Sequence, residues 1–177
     1  MARISYIDES KHPELKELAG RIAGIRGGLI NIYKLLLHSP TVAMTWFEQI
    51  SAIRWKTKLS PRLREIAIVR IASAANYAYA LNQHVPRIAV ADGVTLEECA
   101  ALKDWRASKF FNEAERAALA YVDAIIAGPH VPDDVFNAVR KHYDEREVVE
   151  LTVLAGTYIM HNRVFTALRV DVEPAKG

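Results

Sequence analysis

Among the side chains able to move a proton in this chain, His84 has the most telling context, closing the stretch Asn76-Tyr-Ala-Tyr-Ala-Leu-Asn-Gln-His84. Steps of three and four residues put Tyr77, Ala80 and His84 on one face of a helix. Pro86 follows two residues later. A proline inside a helix has no amide to donate and crowds the carbonyl four residues back, here that of Asn82. The sequence therefore predicts a kink or restart just after His84, with an acceptor or two left open to water, a ligand or a partner chain. An imidazole at such a joint can take up and return a proton near neutral pH without a metal. The competing reading is a polar residue that closes an ordinary buried helix.

Other chemistries find little support. Cys99 is the sole cysteine, so an intramolecular disulfide and a CxxC redox centre are both impossible. Its setting, Thr95-Leu-Glu-Glu-Cys99-Ala-Ala-Leu102, predicts a small thiol buried on a short helix. The six histidines, His12, His38, His84, His130, His142 and His161, include no HxxxH or HExxH pair, so a metal site is not expected. The GIRGG run at Gly24–Gly28 lacks a preceding strand and a phosphate-loop pattern, and reads as a helix stop.

The elements that must hold His84 are helices. Apolar residues recur at the 3.6-residue period almost throughout, and alternation of period two is nearly absent. Ser39-Pro40 and Ser60-Pro61 each set a capping hydroxyl before a first-turn proline. Thr95 with Glu98, Asn112 with Glu115 and Asp144 with Glu147 have the spacing of capping boxes. Stops fall at Gly27-Gly28, Asp92-Gly93 and Gly128-Pro129. The predicted helices span 13–26, 29–38, 40–56, 61–75, 77–91, 95–103, 113–127, 132–142 and 145–169, and the tail VDVEPAKG is expected to fray. Leu63–Ala75 is apolar on nearly every side apart from Arg64, Glu65 and Arg70, which marks a central helix whose charges need partners. Val148-x-Glu150 with its following apolar run parallels Leu63-x-Glu65, a hint of an internal helical repeat offset by 85 residues.

At 177 residues the chain fits one domain, residues 1–177. It divides into an N-terminal helical extension at about 11–56, a core at about 59–128 and C-terminal helices at about 132–170. Twenty-three lysines and arginines against 21 acidic residues, scattered rather than blocked, give no basis for a nucleic acid or membrane-surface partner. No apolar leader and no 18-residue apolar run occurs, so the cytoplasm is the expected location. A hydrophobic content of 51% suggests more apolar surface than one subunit buries, and hence a homo-oligomer.

The run HVPRIAVADGVTLEECAAL from His84 to Leu102, with Ala89, Gly93 and Val94, and the preceding Leu59-Ser-Pro-Arg-Leu-Arg-Glu65, resemble the core of the carboxymuconolactone decarboxylase and AhpD-like superfamily. LLLHSPTVAMTWF before this core and VVELTVLAGTYIMHNRVFTAL after it extend the resemblance over most of the chain. The resemblance implies an AhpD-like all-α helical bundle, trimers or hexamers, and a small site at subunit contacts. In its peroxidase branch a CxxCxxxH motif follows a glutamate by twelve residues. Laid on this chain, the glutamate is Glu65, the histidine is His84, and the cysteine positions hold Tyr77 and Ala80. Thiol peroxidase chemistry is therefore not expected. A second branch carries a Tyr-Glu-Trp triplet, and here that triplet is Tyr79-Ala80-Leu81, so its acid is also absent.

What remains resembles the cofactor-free decarboxylase branch. His84 would transfer the proton, and Glu65 would set its tautomer and charge, unless Glu65 pairs with a buried arginine such as Arg64, Arg70 or Arg163. Tyr77, Tyr79, Asn76 and Asn82 are candidate substrate-binding residues, able to hold a carboxylate or a developing oxyanion, or else residues of packing and capping. His161-Asn162 can approach from a neighbouring helix or subunit. The expected partner is a small carboxylated or lactone-like molecule, acted on by decarboxylation or a related lyase or isomerase step. The alternative is a binding or assembly protein that has kept the fold and lost the chemistry.

Overall fold

The computed structural model describes residues 1–173, all of whose regular structure is helical. Nine α-helices appear in it: α1 Lys16–Arg26, α2 Asn31–Leu36, α3 Pro40–Trp55, α4 Pro61–Ala74, α5 Ala78–Gln83, α6 Leu96–Ala101, α7 Glu113–Ala127, α8 Asp133–Arg140 and α9 Glu145–Leu168. Among the described residues no helix is long and apolar enough to cross a membrane. The described residues form two compact units, one of residues 1–52 with 164–173, the other Ile53–Arg163.

In the first unit Gly27, with φ 71°, ends α1 in the left-handed conformation that a glycine adopts without strain. Tyr33 and Phe47 pack edge to face at 5.9 Å, as do Trp46 and Phe165 at 5.5 Å. Residues 170–173 do not fray as expected. The Tyr6 hydroxyl accepts from the Asp171 amide and donates to its carboxylate, and the Glu173 carboxylate accepts from the Asn31 amide. Residues 174–177 of the expected frayed tail lie outside the described residues.

The second unit is organised on α4. One apolar cluster takes Leu63, Ala67, Ile68 and Ile71 of this helix against α7, α8 and α9. The other takes Ile66 and Val69 against Ala89, Val94, Cys99, Leu102, Trp105 and Phe111. Apolar residues on two sides are what a central helix requires, and the charges between them do find partners. Arg64 donates to Asp92 at 2.9 Å and Arg70 to Asp123 at 2.6 Å. At the start of α4 the Ser60 hydroxyl accepts from the Leu63 amide, as predicted.

Thr95–Glu98, Asn112–Glu115 and Asp144–Glu147 all form reciprocal capping boxes. Two of the glutamates have a second duty. Arg62 donates through Nη1 and Nη2 to the Glu98 carboxylate at 3.0 and 2.7 Å, and through Nε to Glu115 at 2.7 Å. One guanidinium therefore joins the starts of α4, α6 and α7. Glu150, the sequence parallel of Glu65, is half-buried and accepts instead from the Lys58 amide and the Arg146 side chain.

Replacing Arg62 by Met strands two nearly buried carboxylates, and we expect a loss of about 1–3 kcal/mol in urea denaturation. Lys58→Met, which breaks the exposed pair with Asp144, should shift the urea midpoint clearly less than Arg62→Met in the same assay.

Candidate active site

Glu65 projects from the second turn of α4 with no exposed surface. His84 follows α5 and opens a six-residue π-helical segment, His84–Ala89, that contains Pro86. The expected kink thus takes a different form: the helix widens by a π segment instead of breaking, and then runs on as helix to Ala91. A π turn bonds five residues apart, so it accommodates a proline where an α turn would be crowded.

The two side chains meet. His84 Nδ1 lies 2.6 Å from Glu65 Oε2, and His84 is 7% exposed. Burial alone pushes the Glu65 carboxyl up. The His84 charge, its hydrogen bond and then the charges of Arg54 and Arg64 outweigh burial, so the group sits below the usual carboxylate value. An ionised carboxylate can only accept, so Nδ1 carries the hydrogen and Nε2 is the ring nitrogen left to exchange a proton. The ring has no other hydrogen bond among the described residues. Tyr158 of α9 packs edge-on against it, with ring centroids 5.8 Å apart and planes at 81°.

The arginine nearest Glu65 is not one of those expected. Arg64 and Arg70 are engaged with Asp92 and Asp123, and it is Arg54, at the end of α3, whose Nη2 lies 3.7 Å from Glu65 Oε1. Nothing in the sequence singled out Arg54, because it belongs to an amphipathic surface pattern and its approach to α4 is a matter of tertiary packing. Tyr158 was hidden in the same way, as one apolar residue of a long helix.

The remaining candidates divide. Tyr77 and Tyr79 are buried with ring centroids 6.1 Å apart. Asn76 and Asn82 are exposed, and neither hydrogen-bonds to Glu65 or His84. Asn76 has φ 47°, a left-handed turn conformation that asparagine tolerates, and serves the joint between α4 and α5. His161 and Asn162 are buried on α9, and the His161 ring lies 5.6 Å from that of Tyr158. Two surface clefts, of about 710 Å³ along Ala100–Phe110 and about 410 Å³ between α8 and α9, include neither Glu65 nor His84. Among the described residues no cluster of three metal-ligating side chains occurs. Cys99 is buried in the α4 cluster, and burial, then the nearby Glu65 and Glu98 charges, push its thiol up to about 11.

Because the folded Glu65 carboxyl is depressed, its contribution to stability is present above the ordinary value of 4.5 and is lost as pH falls through its lower folded value. Urea denaturation at pH values from about 6 to about 3 should therefore show a shallower acid loss for Glu65→Gln than for the native chain. For Cys99, a thiol pushed up to about 11 implies a thiolate fraction near neutrality lower by about 100-fold than for a free thiol. Labelling with an aromatic disulfide reagent should be at least that much slower in the native protein than in urea.

Comparison with known proteins agrees with this architecture. Residues 40–124 match the carboxymuconolactone decarboxylase family. The uncharacterized protein YnjA of Escherichia coli is 29% identical over 125 residues, which is 70% of this chain and 66%, just under two thirds, of that protein. The crystal structure of ATU0492 from Agrobacterium tumefaciens, a protein of unknown function associated with AhpD and antioxidant defence, superposes with a TM-score of 0.74 at 26% identity, over 80% of this chain and 97% of that one. A cysteine-to-alanine variant of the debrominase Bmp8, in complex with 2,3,4-tribromopyrrole, shares the fold with a TM-score of 0.81 at 22% identity, over 98% and 94% of the two chains. Just under half of this chain thus matches the carboxymuconolactone decarboxylase family, and its helices share the fold of the AhpD-like structure from Agrobacterium tumefaciens.

Proposed function

We propose that this protein is a cofactor-free acid/base enzyme of the carboxymuconolactone decarboxylase type, acting on a small carboxylated or lactone-like molecule. One observation carries the proposal: a buried glutamate grips His84 Nδ1 at 2.6 Å and leaves Nε2 as the ring atom available to a substrate. A carboxylate behind an imidazole fixes its tautomer and stabilises the imidazolium once it forms. For decarboxylation, the C–C bond to the carboxylate breaks, CO₂ departs, and the electron pair passes into an adjacent carbonyl as an enolate. His84 Nε2–H then delivers its proton to the carbon and regains one from water. For an isomerase step, neutral His84 removes a proton beside a carbonyl and returns it at another atom.

Tyr77 and Tyr79, buried at the start of α5, are the candidates for shaping the substrate cavity. A thiol route has no support in this chain, since its single cysteine is sealed in an apolar cluster with its pKa pushed up to about 11. Assembly as a homo-oligomer is part of the proposal, favoured by the exposed Val149, Val153 and Met160 along α9.

A screen of lactone acids and β-keto acids for CO₂ release, run beside a folded His84→Ala variant, tests the assignment. Loss of the proton donor should lower kcat by about 10²- to 10⁴-fold. Equal turnover by the variant would remove His84 from the mechanism.

A further inference from the structure

Asn162 is 3% exposed, and neither its Nδ2 nor its Oδ1 has a hydrogen-bond partner among the described residues. A buried primary amide left unpaired at both atoms is uncommon, and it calls for a ligand or an ordered water. Its place on α9 indicates which. Asn162 lies four residues beyond Tyr158, on the same face of the helix, and Tyr158 is the residue that packs edge-on against the His84 ring. His161 continues that face, its ring 5.6 Å from that of Tyr158. The helix thus sets an unsatisfied amide one turn away from the residue that touches the proton-transfer group.

We infer that Asn162 is a substrate-recognition residue of the His84 site, and that it selects molecules presenting an acceptor and a donor side by side. An amide edge offers one N–H and one C=O. A carbonyl flanked by N–H or O–H satisfies both, as in a lactam, a protonated carboxylic acid or an enolised keto acid. A lactone or carboxylate group by itself carries acceptors alone and leaves Oδ1 buried and unpaired, so within the carboxylated and lactone-like class Asn162 favours members that also carry an N–H or O–H beside a carbonyl. That difference is large enough to change affinity about ten-fold or more. The inference rests on the proposed acid/base role only for where the reacting end of the substrate lies; the recognition itself is a binding property.

Two probes of equal ring size separate the cases: 2-pyrrolidinone, with an N–H beside its carbonyl, and γ-butyrolactone, with an oxygen there. Binding is read from the ring ¹⁵N signals of His84, with no turnover required. The native protein should bind the lactam about ten-fold or more tightly than the lactone. Asn162→Leu should abolish that preference and raise Tm, because an apolar side chain of similar volume removes the unpaired amide. Asn162→Ala provides the same binding comparison should leucine not be accommodated. Equal binding of the two probes by the native protein, an unchanged preference in either variant, or a lowered Tm for Asn162→Leu, as expected if an ordered water satisfies the amide, would overturn the inference. Failure of the acid/base proposal is distinguishable, since it would appear as no CO₂ release with the lactam preference intact.

Discussion

A carboxylate with no exposed surface, on the most enclosed helix of its unit, is the constraint around which the second unit is arranged. Glu65 is tolerated there because an imidazole hydrogen-bonds one oxygen and a guanidinium stands 3.7 Å from the other. Burying such a charge without partners would cost several kcal/mol. The elements that bring the partners are therefore bound to α4 by more than apolar packing. The joint after α4 must turn within a few residues, which the left-handed Asn76 allows, so that α5 can carry His84 back against the same helix.

The neighbouring arginines explain why this pair can keep a distinct role. Arg64 and Arg70 are each engaged by an aspartate from another element, and Arg62 by two glutamates. Each cation is thereby held away from the histidine's acceptor, leaving Glu65 Oε2 hydrogen-bonded to His84 alone among the described residues. Arginine cannot shed its charge, so a direct guanidinium contact at Oε2 would have made the pair a structural ion bridge. With histidine in that place, the proton can come and go.

Much of this was legible in the sequence. Helix boundaries follow from caps, prolines and glycines, which act locally, and the three capping boxes formed where their spacing put them. The Glu65–His84 contact followed from a family motif, not from periodicity, since nothing in a single chain reports that residues 19 apart will touch. Arg54 and Tyr158 were invisible because each reaches the pair through tertiary packing of an otherwise ordinary helix. The exposure of Asn76 and Asn82 shows the opposite limit. Residue type suggested a pocket, while backbone geometry at the joint assigned one of them to a turn. Pro86 announced an irregular helix without specifying whether it would break or widen.

The Arg62 cluster bears on how the second unit comes together. Glu98 and Glu115 are each tied to the start of their own helix by contacts three residues apart, which form without help from distant parts of the chain. When α4 arrives, its arginine meets acceptors already oriented, and little side-chain freedom remains to be lost. Local punctuation in the sequence thus doubles as a docking template. The same two carboxylates that help mark where α6 and α7 begin also tell the central helix, and with it Glu65, where to stand.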